Sequence, residues 1–506
     1  MRSALLLLGL SLSLIACQPS SEVPPTVPNI LFIMADDHSS QAFGVYDHEL
    51  DPYVRSSQFQ RLAQEGMRLD RVYCTNSICV PSRAAILTGQ YSHLNQVYTL
   101  SDAIDTNRRH IGHLLQDAGY QTAIVGKWHL KTQPKGFDYY NVLPGQGRYQ
   151  NPILKEMGHA WSVKGEEYQG FSSDVIADEA LQWLAQRDDQ TPFFLMCHFK
   201  AVHEPFDFAA RYQSLYENDT LPLPSSLFED RSHRSAGSRH KGIFIQDLMG
   251  RYLNRPNFYP QPALDTTGLN EREKIEATCQ KLRKDYLRGV AGLNDNLERI
   301  LDYLDAQGLT QNTIVVYTSD QGYFLGEHGY MDKRWMFEES ARMPMLIRYP
   351  EKIKADSFNN DLLLNIDFAP TFLDWAGVKI PASMQGRSFR ANLEEQKPAD
   401  WREVFYYRYW MQERRPAHFG VGDERYKLIF YYGLALDKVK GVERSPAGWE
   451  LYDLLEDPRE EHNLYGDPSL ATVVERLKSE MLRLREELDD TDEAYPELKQ
   501  LIEQHW

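Results

Sequence analysis

The stretch ILFIMADD, residues 30–37, places six consecutive apolar residues directly before two acids. A run of this length without polar alternation is typical of a strand that is buried on both faces of a parallel sheet. Asp36 and Asp37 then mark the point where the strand leaves the core. We therefore predict a first buried strand over residues 30–35, with polar chemistry at its carboxyl end.

Three further runs repeat this pattern, and amphipathic helices are indicated between them. The alternation is typical of a mostly parallel sheet covered by helices. The sequence therefore predicts an α/β fold in which a large mixed, mostly parallel sheet is sandwiched by helices. The further strand candidates are residues 123–125, 193–199 and 313–318, and the helical patterns occupy residues 59–66, 111–119 and 286–304.

The pattern changes near residue 400. Two short strand-like stretches, residues 404–409 and 426–432, precede a helix whose apolar residues recur at three- and four-residue spacing up to Leu488. We interpret residues 29–399 as a large N-terminal domain. Residues 400–506 are predicted to form a smaller α+β domain with an antiparallel sheet and a helix.

The beginning of the chain resembles an export signal. Residues 1–17 read MRSALLLLGLSLSLIAC, in which an apolar run too short to span a bilayer ends at Cys17. This resembles a bacterial lipoprotein signal with Cys17 as the lipidated residue, and an ordinary secretory signal is the alternative. Residues 18–28 read as a polar, proline-rich tether. Gln18 favours the outer membrane by resemblance to lipoprotein sorting, so we expect a lipid-anchored protein that faces the periplasm or the cell surface.

Composition restricts the classes of function. The 506 residues carry 55 Lys and Arg against 72 Asp and Glu, so the formal net charge is 55 − 72 = −17 and nucleic acid is not an expected partner. An anionic substrate would need a local positive pocket. Five Cys in so long a chain exclude a disulfide scaffold, and we interpret Cys74, Cys197 and Cys279 as structural.

Polar side chains follow all four strand candidates. They are Asp36 and Asp37, then Lys127 and His129, then His203, and finally Asp320 and Gln321. In open α/β sheets, ligands bind beyond the carboxyl ends of the strands, so we expect these groups to form one site. Taken singly, each has a plainer interpretation as a cap, a turn or the solvent boundary.

Four of these residues offer oxygen ligands to a metal ion. Asp36, Asp37 and Asp320 would repel one another if they came close without a cation between them. Together with the amide oxygen of Gln321 they suit Ca²⁺ or Mg²⁺ rather than zinc. Ca²⁺ is preferred, because an all-protein oxygen cage is unusual for Mg²⁺.

The stretch CVPSRAAILTG, residues 79–89, is the most specific motif. Pro81 fits the first turn of a helix, whose N-terminus would hold Cys79, lower its thiol pKa and favour an anion. Arg83 lies one turn later and can reach back. Chemistry alone therefore indicates a nucleophile in an anion pocket, as in a cysteine phosphatase, or else a buried structural Cys.

The motif Cys79-x-Pro81-Ser82-Arg83, with Leu-Thr-Gly at 87–89, resembles the signature of the type I, formylglycine-dependent sulfatases of the alkaline-phosphatase-like superfamily. Other landmarks of that family follow in order, and the resemblance spans residues 29–464. They are Asp36-Asp37, GKWH at 126–129, His203-x-Pro205, DQG at 320–322, GEHG at 326–329, Lys333, and ELYDL at 450–454.

The resemblance implies a mechanism. A formylglycine-generating or sulfatase-maturating enzyme oxidises Cys79 to formylglycine, whose hydrate attacks sulfur, and Ca²⁺ sits among the four oxygen ligands. Many relatives carry Asn or His in place of Gln321, so its ligation is the least secure. The further roles implied are Arg83 and Lys127 for holding the nucleophile, His129 as base, His203 and Lys333 for sulfate and leaving oxygen, and His328 for substrate contact.

Residues 136–149 and 332–335 resemble sulfatases that act on sugar sulfates. We therefore expect a sulfated carbohydrate, either algal polysaccharide such as ulvan or carrageenan fragments or glycosaminoglycan. Arg148, Arg334, Trp335 and a polar insertion at residues 207–269 are the candidates for recognising the sugar, although each could be a solvated or packing element. Two other functions stay open, namely a phosphonate monoester or phosphodiester hydrolase of the same superfamily and a non-catalytic glycan-binding lipoprotein.

Overall fold

The structure is a computed structural model that describes residues 27–436 and 444–506. The predicted signal, the lipidation site at Cys17 and all but the last two residues of the tether lie outside the described residues. Within them, no helix combines the length and the apolar character that a membrane span requires.

A ten-stranded mixed sheet forms the centre of the fold. From one edge to the other its strands are β13 (Ser357–Asn359), β2 (Met67–Leu69), β12 (Met345–Arg348), β9 (Thr313–Ser319), β1 (Asn29–Ala35), β8 (Phe193–His198), β4 (Gln121–Lys127), β5 (Tyr139–Leu143), β6 (Ile153–Glu156) and β7 (Glu166–Glu167). The five strands from β9 to β5 are mutually parallel, whereas β12, β6 and β7 run antiparallel to their neighbours. The predicted mixed, mostly parallel sheet is confirmed.

The four strands predicted to end at the site are neighbours in this sheet. β9, β1, β8 and β4 lie side by side, and Met34 on β1 pairs with both His198 on β8 and Thr318 on β9. Gly126 near the end of β4 pairs with the same His198. Because the strands are parallel and in this register, the chain leaves all four at one edge of the sheet.

Helices cover both faces of the sheet, as predicted. Leu31 and Ile33 share one apolar cluster with residues of α1 (Ser57–Gln64), α5 (Ser172–Gln186) and α7 (Glu271–Ala306), whereas Ile30, Phe32 and Met34 share another with residues of α2 (Cys79–Thr88), α4 (Ile111–Asp117) and α9 (Phe368–Trp375). The helices are α1 (Ser57–Gln64), α2 (Cys79–Thr88), α3 (Ser92–Asn95), α4 (Ile111–Asp117), α5 (Ser172–Gln186), α6 (Ile245–Asn254), α7 (Glu271–Ala306), α8 (Glu338–Ala341), α9 (Phe368–Trp375), α10 (Arg390–Leu393), α11 (Ala471–Glu487) and α12 (Pro496–His505).

A second, smaller sheet follows near the C-terminus. Its antiparallel strands are β15 (Phe405–Tyr409), β16 (His418–Gly422), β17 (Tyr426–Tyr431) and β18 (Gly448–Asp453). Leu477 and Met481 of α11 are buried against it. The predicted antiparallel sheet with a helix is therefore confirmed, while the boundary at residue 400 stays a prediction. Two minor two-stranded sheets join β10 (Phe324–Leu325) to β11 (Met331–Asp332) and β14 (Leu363–Leu364) to β3 (Val72–Tyr73).

The polar insertion at residues 207–269 is partly ordered into regular structure. It holds α6 and three short 3₁₀ turns. Ile245, Leu248 and Tyr252 on α6 are buried in the same apolar cluster as α7. These residues recur at i, i+3 and i+7, so the segment is a short amphipathic helix that packing against α7 stabilises.

Candidate active site

Three carboxylates meet where the chain leaves β1 and β9. Asp36, Asp37 and Asp320 are fully buried, and an oxygen from each lies within 4.8 Å of an oxygen from the others. The Asp37 backbone also donates to Asp320 Oδ1 at 3.2 Å. Such a cluster is costly in the core unless positive charge compensates it.

Each carboxylate has a basic partner from a different part of the chain. Lys127 at the end of β4 forms an ion pair with Asp36. Arg83 on α2 donates from Nε to Asp320 Oδ2 at 2.9 Å, and Lys333 donates to Asp37 Oδ2 at 2.6 Å. The structure thus brings together six of the residues singled out in the sequence.

The three acids differ in their tendency to hold a proton. Burial raises the pKa of Asp36, but Lys127 and the other nearby basic groups outweigh it and hold the pKa well below its usual value. Burial dominates at Asp37 and, although Lys333 opposes it, raises the pKa to about 7. At Asp320, burial and the charge of Asp36 raise the pKa to about 6. A divalent cation would stabilise the ionised form of all three.

Gln321 completes the set of oxygen donors. Its Nε2 lies 2.5 Å from Asp37 Oδ1, while its Oε1 is buried and has no hydrogen-bond partner in the described part of the chain. Rotation of the amide by half a turn would direct Oε1 at the carboxylates, an arrangement that only a cation would stabilise. The chemistry of these four side chains therefore fits a hard cation such as Ca²⁺ or Mg²⁺.

Cys79 is the first residue of α2, as the motif predicted. Its Sγ lies 3.4 Å from Asp36 Oδ1 and 3.8 Å from Gln321 Nε2. The expected fall in thiol pKa is not found. Burial raises the pKa of Cys79, and the charges of Asp36 and Asp320 add to it, so the helix N-terminus does not acidify this thiol as predicted.

Arg83 turns back towards the start of its helix. Its Nη1 donates to the Lys127 carbonyl at 2.7 Å. Its Nη2 is buried and makes no hydrogen bond within the residues described, although it lies 3.9 Å from Asp36 Oδ1. Nε and Nη1 are therefore held by the protein, and Nη2, the free edge of the guanidinium, keeps unused donors close to Asp36 in the part of the chain that the structure describes.

Two histidines lie near the carboxylates. His203 places Nε2 3.8 Å from Asp37 Oδ2 and fixes Nδ1 against the Glu204 carbonyl at 2.8 Å. His129 is 4% exposed, and its Nδ1 has no partner among the described residues. Burial and the charge of Lys127 lower the pKa of His129 to about 2, so this ring is neutral.

A cavity of about 220 Å³ opens over these groups. Asp37, Cys79, His203 and Lys333 form part of its wall, and further residues extend it. These are Leu100, Gln146, Glu204, Arg251, Tyr323, Asp332, Arg334 and Arg415. The cavity is rich in cations and donors, so it provides the local positive pocket that an acidic protein needs for an anion.

Of the four residues predicted to contact substrate, two line cavities and two do not. Arg334 lines the catalytic pocket, and Arg148 lines a neighbouring cavity. Trp335 is 1% exposed and stacks on Tyr330 at 5.2 Å inside the core. His328 is fully buried, with Nδ1 2.6 Å from Glu229 Oε2. Both side chains pack within the protein, so the packing interpretation that stayed open applies to Trp335, and the substrate contact implied for His328 is not supported.

Three residues near the site had no role assigned from the sequence. Gln146 accepts from Lys127 Nζ at 2.7 Å, and the Tyr286 hydroxyl contacts the backbone of Asp37 from the long helix α7. Lys200 follows β8 and is buried beside the same edge. The position of Lys200 directly after a buried strand could have identified it as a site residue from the sequence. Tyr286 could not be identified in this way, because in the sequence it is an ordinary apolar position of a helix.

The sheet and its anion-facing pocket define a hydrolase of the alkaline-phosphatase-like superfamily. The sequence profile of the Sulfatase family matches residues 28–378, and that of the C-terminal part of N-sulphoglucosamine sulphohydrolase matches residues 326–487. The chain therefore belongs to the sulfatase family and is a sulfuric ester hydrolase.

Similar proteins agree with this assignment. The chain is 36% identical to an N-acetylglucosamine-6-O-sulfatase of Bacteroides thetaiotaomicron, covering 96% of this chain and 90% of that protein. A solved structure in complex with D-glucosamine-2-N,6-O-disulfate has a TM-score of 0.84 and 35% identity, covering 92% of this chain and 99% of that one. A phosphonate monoester hydrolase from Silicibacter pomeroyi has a TM-score of 0.70 at 23% identity over 91% and 95% of the two chains, which shows a shared fold.

The buried pair of His328 and Glu229 predicts a pH dependence of stability. Burial lowers the pKa of His328, but the hydrogen bond with Glu229 and the charge of Glu339, whose Oε2 lies 3.7 Å from Nε2, outweigh it and raise the pKa from 6.5 to about 9. The protonated ring therefore stabilises the fold fully below pH 6.5, and this contribution, roughly 3 kcal/mol, is lost as pH rises through about 9. We expect the melting temperature of the wild type to fall more steeply over this range than that of His328→Gln.

His418→Gln is the matched control for this measurement. His418 is also fully buried, but burial lowers its pKa to about 4, so it stays neutral throughout the range. Its variant should keep the wild-type slope. Equal slopes for wild type and His328→Gln would show that the His328 ring does not carry the charge.

Proposed function

We propose that the protein removes the 6-O-sulfate from a glucosamine residue of a sulfated glycan, with formylglycine at position 79 as the source of the nucleophile. The observation that supports this most is the position of Cys79 at the start of α2, 3.4 Å from Asp36, in a cavity lined by basic side chains. The substrate is proposed from the similar glucosamine 6-O-sulfatase and from the complex with glucosamine disulfate. Algal polysaccharide is the less supported choice, since the ulvan-active relative is 24% identical.

The protein's own side chains hold the reacting groups. A hydrated formylglycine at position 79 supplies the attacking oxygen, and Lys127 and the free edge of Arg83 would hold its hydroxyls. Lys333, which lines the cavity beside Asp37, would bind the sulfate and neutralise charge as the ester bond breaks. His203, whose Nε2 faces the same wall, would assist the leaving oxygen.

His129 is proposed as the base that removes a proton from the second hydroxyl, so that the C–O bond to the transferred sulfate breaks, sulfate leaves and the aldehyde is restored. Its ring is neutral, but burial and Lys127 lower its pKa to about 2 and so make it a weak base, and the proposal therefore rests on its position and not on its basicity. Its Nδ1 has no partner in the described chain and is therefore free to accept a proton.

A divalent cation fits the four oxygen donors of this site. Asp36, Asp37, Asp320 and Gln321 would hold it, and we propose Ca²⁺ as its identity. When bound, the ion supplies Lewis-acid polarisation of the sulfate group. The unpartnered Oε1 of Gln321 supports this assignment.

Recognition of the sugar falls to residues on the cavity wall. Arg334 is fixed by Glu413 at 3.0 Å and by Asp332 at 3.3 Å, so its guanidinium is held in one orientation beside Lys333. A fixed guanidinium and carboxylate pair can bind adjacent sugar hydroxyls. We propose that Arg334 serves this purpose. Arg148 is 48% exposed and pairs with Glu167, so it contributes at the rim.

The hydrolysis of sulfate should depend on Cys79. With glucosamine 6-sulfate as substrate, we expect Cys79→Ala to lower sulfate release by roughly 10³-fold or more. Cys197→Ala is the control, because that thiol is equally buried but lies within β8. In the wild type, the mass of the peptide containing residue 79 should show an aldehyde in place of the thiol.

Two results would contradict these proposals separately. Equal sulfate release by Cys79→Ala and wild type would remove the catalytic assignment. Full activity of a wild-type preparation whose residue 79 is still a thiol would exclude formylglycine as the source of the nucleophile and leave the sulfatase activity itself unaffected. A large preference for an aryl phosphodiester over an aryl sulfate would favour the phosphonate monoester hydrolase function instead.

We also propose that the protein is exported and anchored by a lipid on Cys17, in the outer membrane. The support is the sequence MRSALLLLGLSLSLIAC and the polar tether after it. In a bacterial host, the wild type should fractionate with membranes and incorporate labelled fatty acid, whereas Cys17→Ser should do neither. A wild type found only in soluble fractions, or a Cys17→Ser variant that is labelled equally, would exclude this anchor.

A further inference from the structure

A second cavity opens directly beside the catalytic pocket. Its volume is about 580 Å³, and it shares four wall residues with the pocket: Gln146, His203, Glu204 and Arg251. A substrate that extends out of the catalytic pocket on this side must enter the second cavity. The rest of its wall includes Arg148, Tyr149, Lys200, Asp207, Arg255 and Phe258.

Lys200 brings a buried positive charge to this wall. The residue is 2% exposed, and within residues 27–436 and 444–506 no carboxylate oxygen lies within 4.0 Å of its Nζ. Its ammonium instead lies 4.5 Å from the centre of the Tyr149 ring. Asp36, Asp37 and Asp207 act on this charge only from beyond contact distance, so an anion that enters the cavity and contacts the buried ammonium would gain a direct ion pair.

The acids of the cavity do not serve as partners for Lys200. Glu204 is occupied by Arg251, whose Nη1 lies 2.7 Å from its Oε2, and by the hydroxyl of Tyr259. Asp207 accepts from the Phe208 backbone at 2.9 Å and forms no ion pair in the described chain. Glu204 is thus neutralised, and Asp207 is left to accept hydrogen bonds from hydroxyl groups.

The outer rim of the cavity presents an aromatic face. Phe258 is 45% exposed, and the guanidinium of Arg255 lies 3.9 Å from the centre of its ring. Arg255 forms no ion pair with any described residue. Arg255 covers one face of this ring, so the remaining exposed part of Phe258 is the apolar surface available to a sugar, and Arg255 adds a charge for an anion beside it.

We propose that this cavity binds the second sugar of the glycan through an anionic group on that sugar, a sulfate or a carboxylate, that pairs with Lys200. The sugar ring lies against Phe258. This inference rests on the proposed function, since the first sugar must occupy the catalytic pocket. The preferred substrate class is then an anionic oligosaccharide with the 6-O-sulfated glucosamine at its end.

The test compares three disaccharides that carry the 6-O-sulfated glucosamine at the non-reducing end. The second sugar is a neutral hexose, a hexuronate or a hexose sulfate. For the wild type we expect kcat/KM to be about tenfold higher for at least one anionic disaccharide than for the neutral one. Comparison of the hexuronate with the hexose sulfate identifies whether the second cavity binds a carboxylate or a sulfate. Lys200→Met should remove the advantage, and Lys200→Arg should retain part of it.

Phe258→Ala tests the rim of the cavity at an exposed position that the core does not need. For Phe258→Ala we expect a loss of about threefold to tenfold in the preference for the disaccharides, measured as their kcat/KM divided by the kcat/KM for the monosaccharide glucosamine 6-sulfate. Phe228→Ala is the matched control, because Arg272 covers that ring at 3.8 Å in the same way but outside both cavities. If Lys200→Met does not fold, Arg255→Ala replaces it in the comparison of anionic with neutral disaccharides.

Binding measurements separate failure of this inference from failure of the proposed function. Calorimetry with the desulfated anionic disaccharide and the Cys79→Ala variant needs no turnover. If the wild type hydrolyses none of the substrates but binding is weakened by Lys200→Met, the proposed function fails and the second sugar site stands. Two observations together would exclude the second sugar site. The wild type would hydrolyse all three disaccharides with equal kcat/KM, and Lys200→Met would change neither the ratio of anionic to neutral kcat/KM nor the affinity for the desulfated anionic disaccharide.

Discussion

The structure depends on one electrostatic constraint: three buried carboxylates are held within 4.8 Å of one another at the edge of a sheet. Asp36, Asp37 and Asp320 would repel one another, and burial makes that repulsion strong. Lys127, Arg83 and Lys333 balance them from three separate elements. Lys333 also lines the cavity, so part of the positive charge that makes the cluster tolerable attracts an anionic ester.

The parallel sheet is what brings these charges together. β9, β1, β8 and β4 are neighbours with matched register, so the residues after each strand reach a common edge although they are far apart in sequence. The helix α2 then places Cys79 over the acids with its N-terminus pointing at the same place. The site side chains are held in fixed positions because the strands and the helix end that carry them are buried on all sides, and a catalytic site requires such rigid support.

Local sequence predicted much of this arrangement. It failed for residues whose role depends on how the side chain packs in the folded protein. Buried apolar runs and the polar residues after them were enough to predict the sheet edge, because strands buried on both faces are typically parallel and their carboxyl ends then meet at one edge. His328 and Trp335 were assigned to substrate on a motif alone, yet Glu229 and Tyr330 hold them in the core. Tyr286 could not be found, since a tyrosine at a helix position reads the same whether it faces the core or the site. The thiol pKa of Cys79 was misjudged because burial and neighbouring acids outweigh a helix N-terminus.

The central claim is that the carboxylates of this edge form a cation site. The most direct measurement is calorimetric titration of the chelator-treated protein with Ca²⁺, and in parallel with Mg²⁺, for wild type and for Asp320→Asn, which keeps the shape of the side chain. We expect saturable binding of a single Ca²⁺ by the wild type, weaker binding of Mg²⁺, and loss of Ca²⁺ binding in the variant. Equal Ca²⁺ binding by the two proteins, or none by the wild type, would contradict the claim.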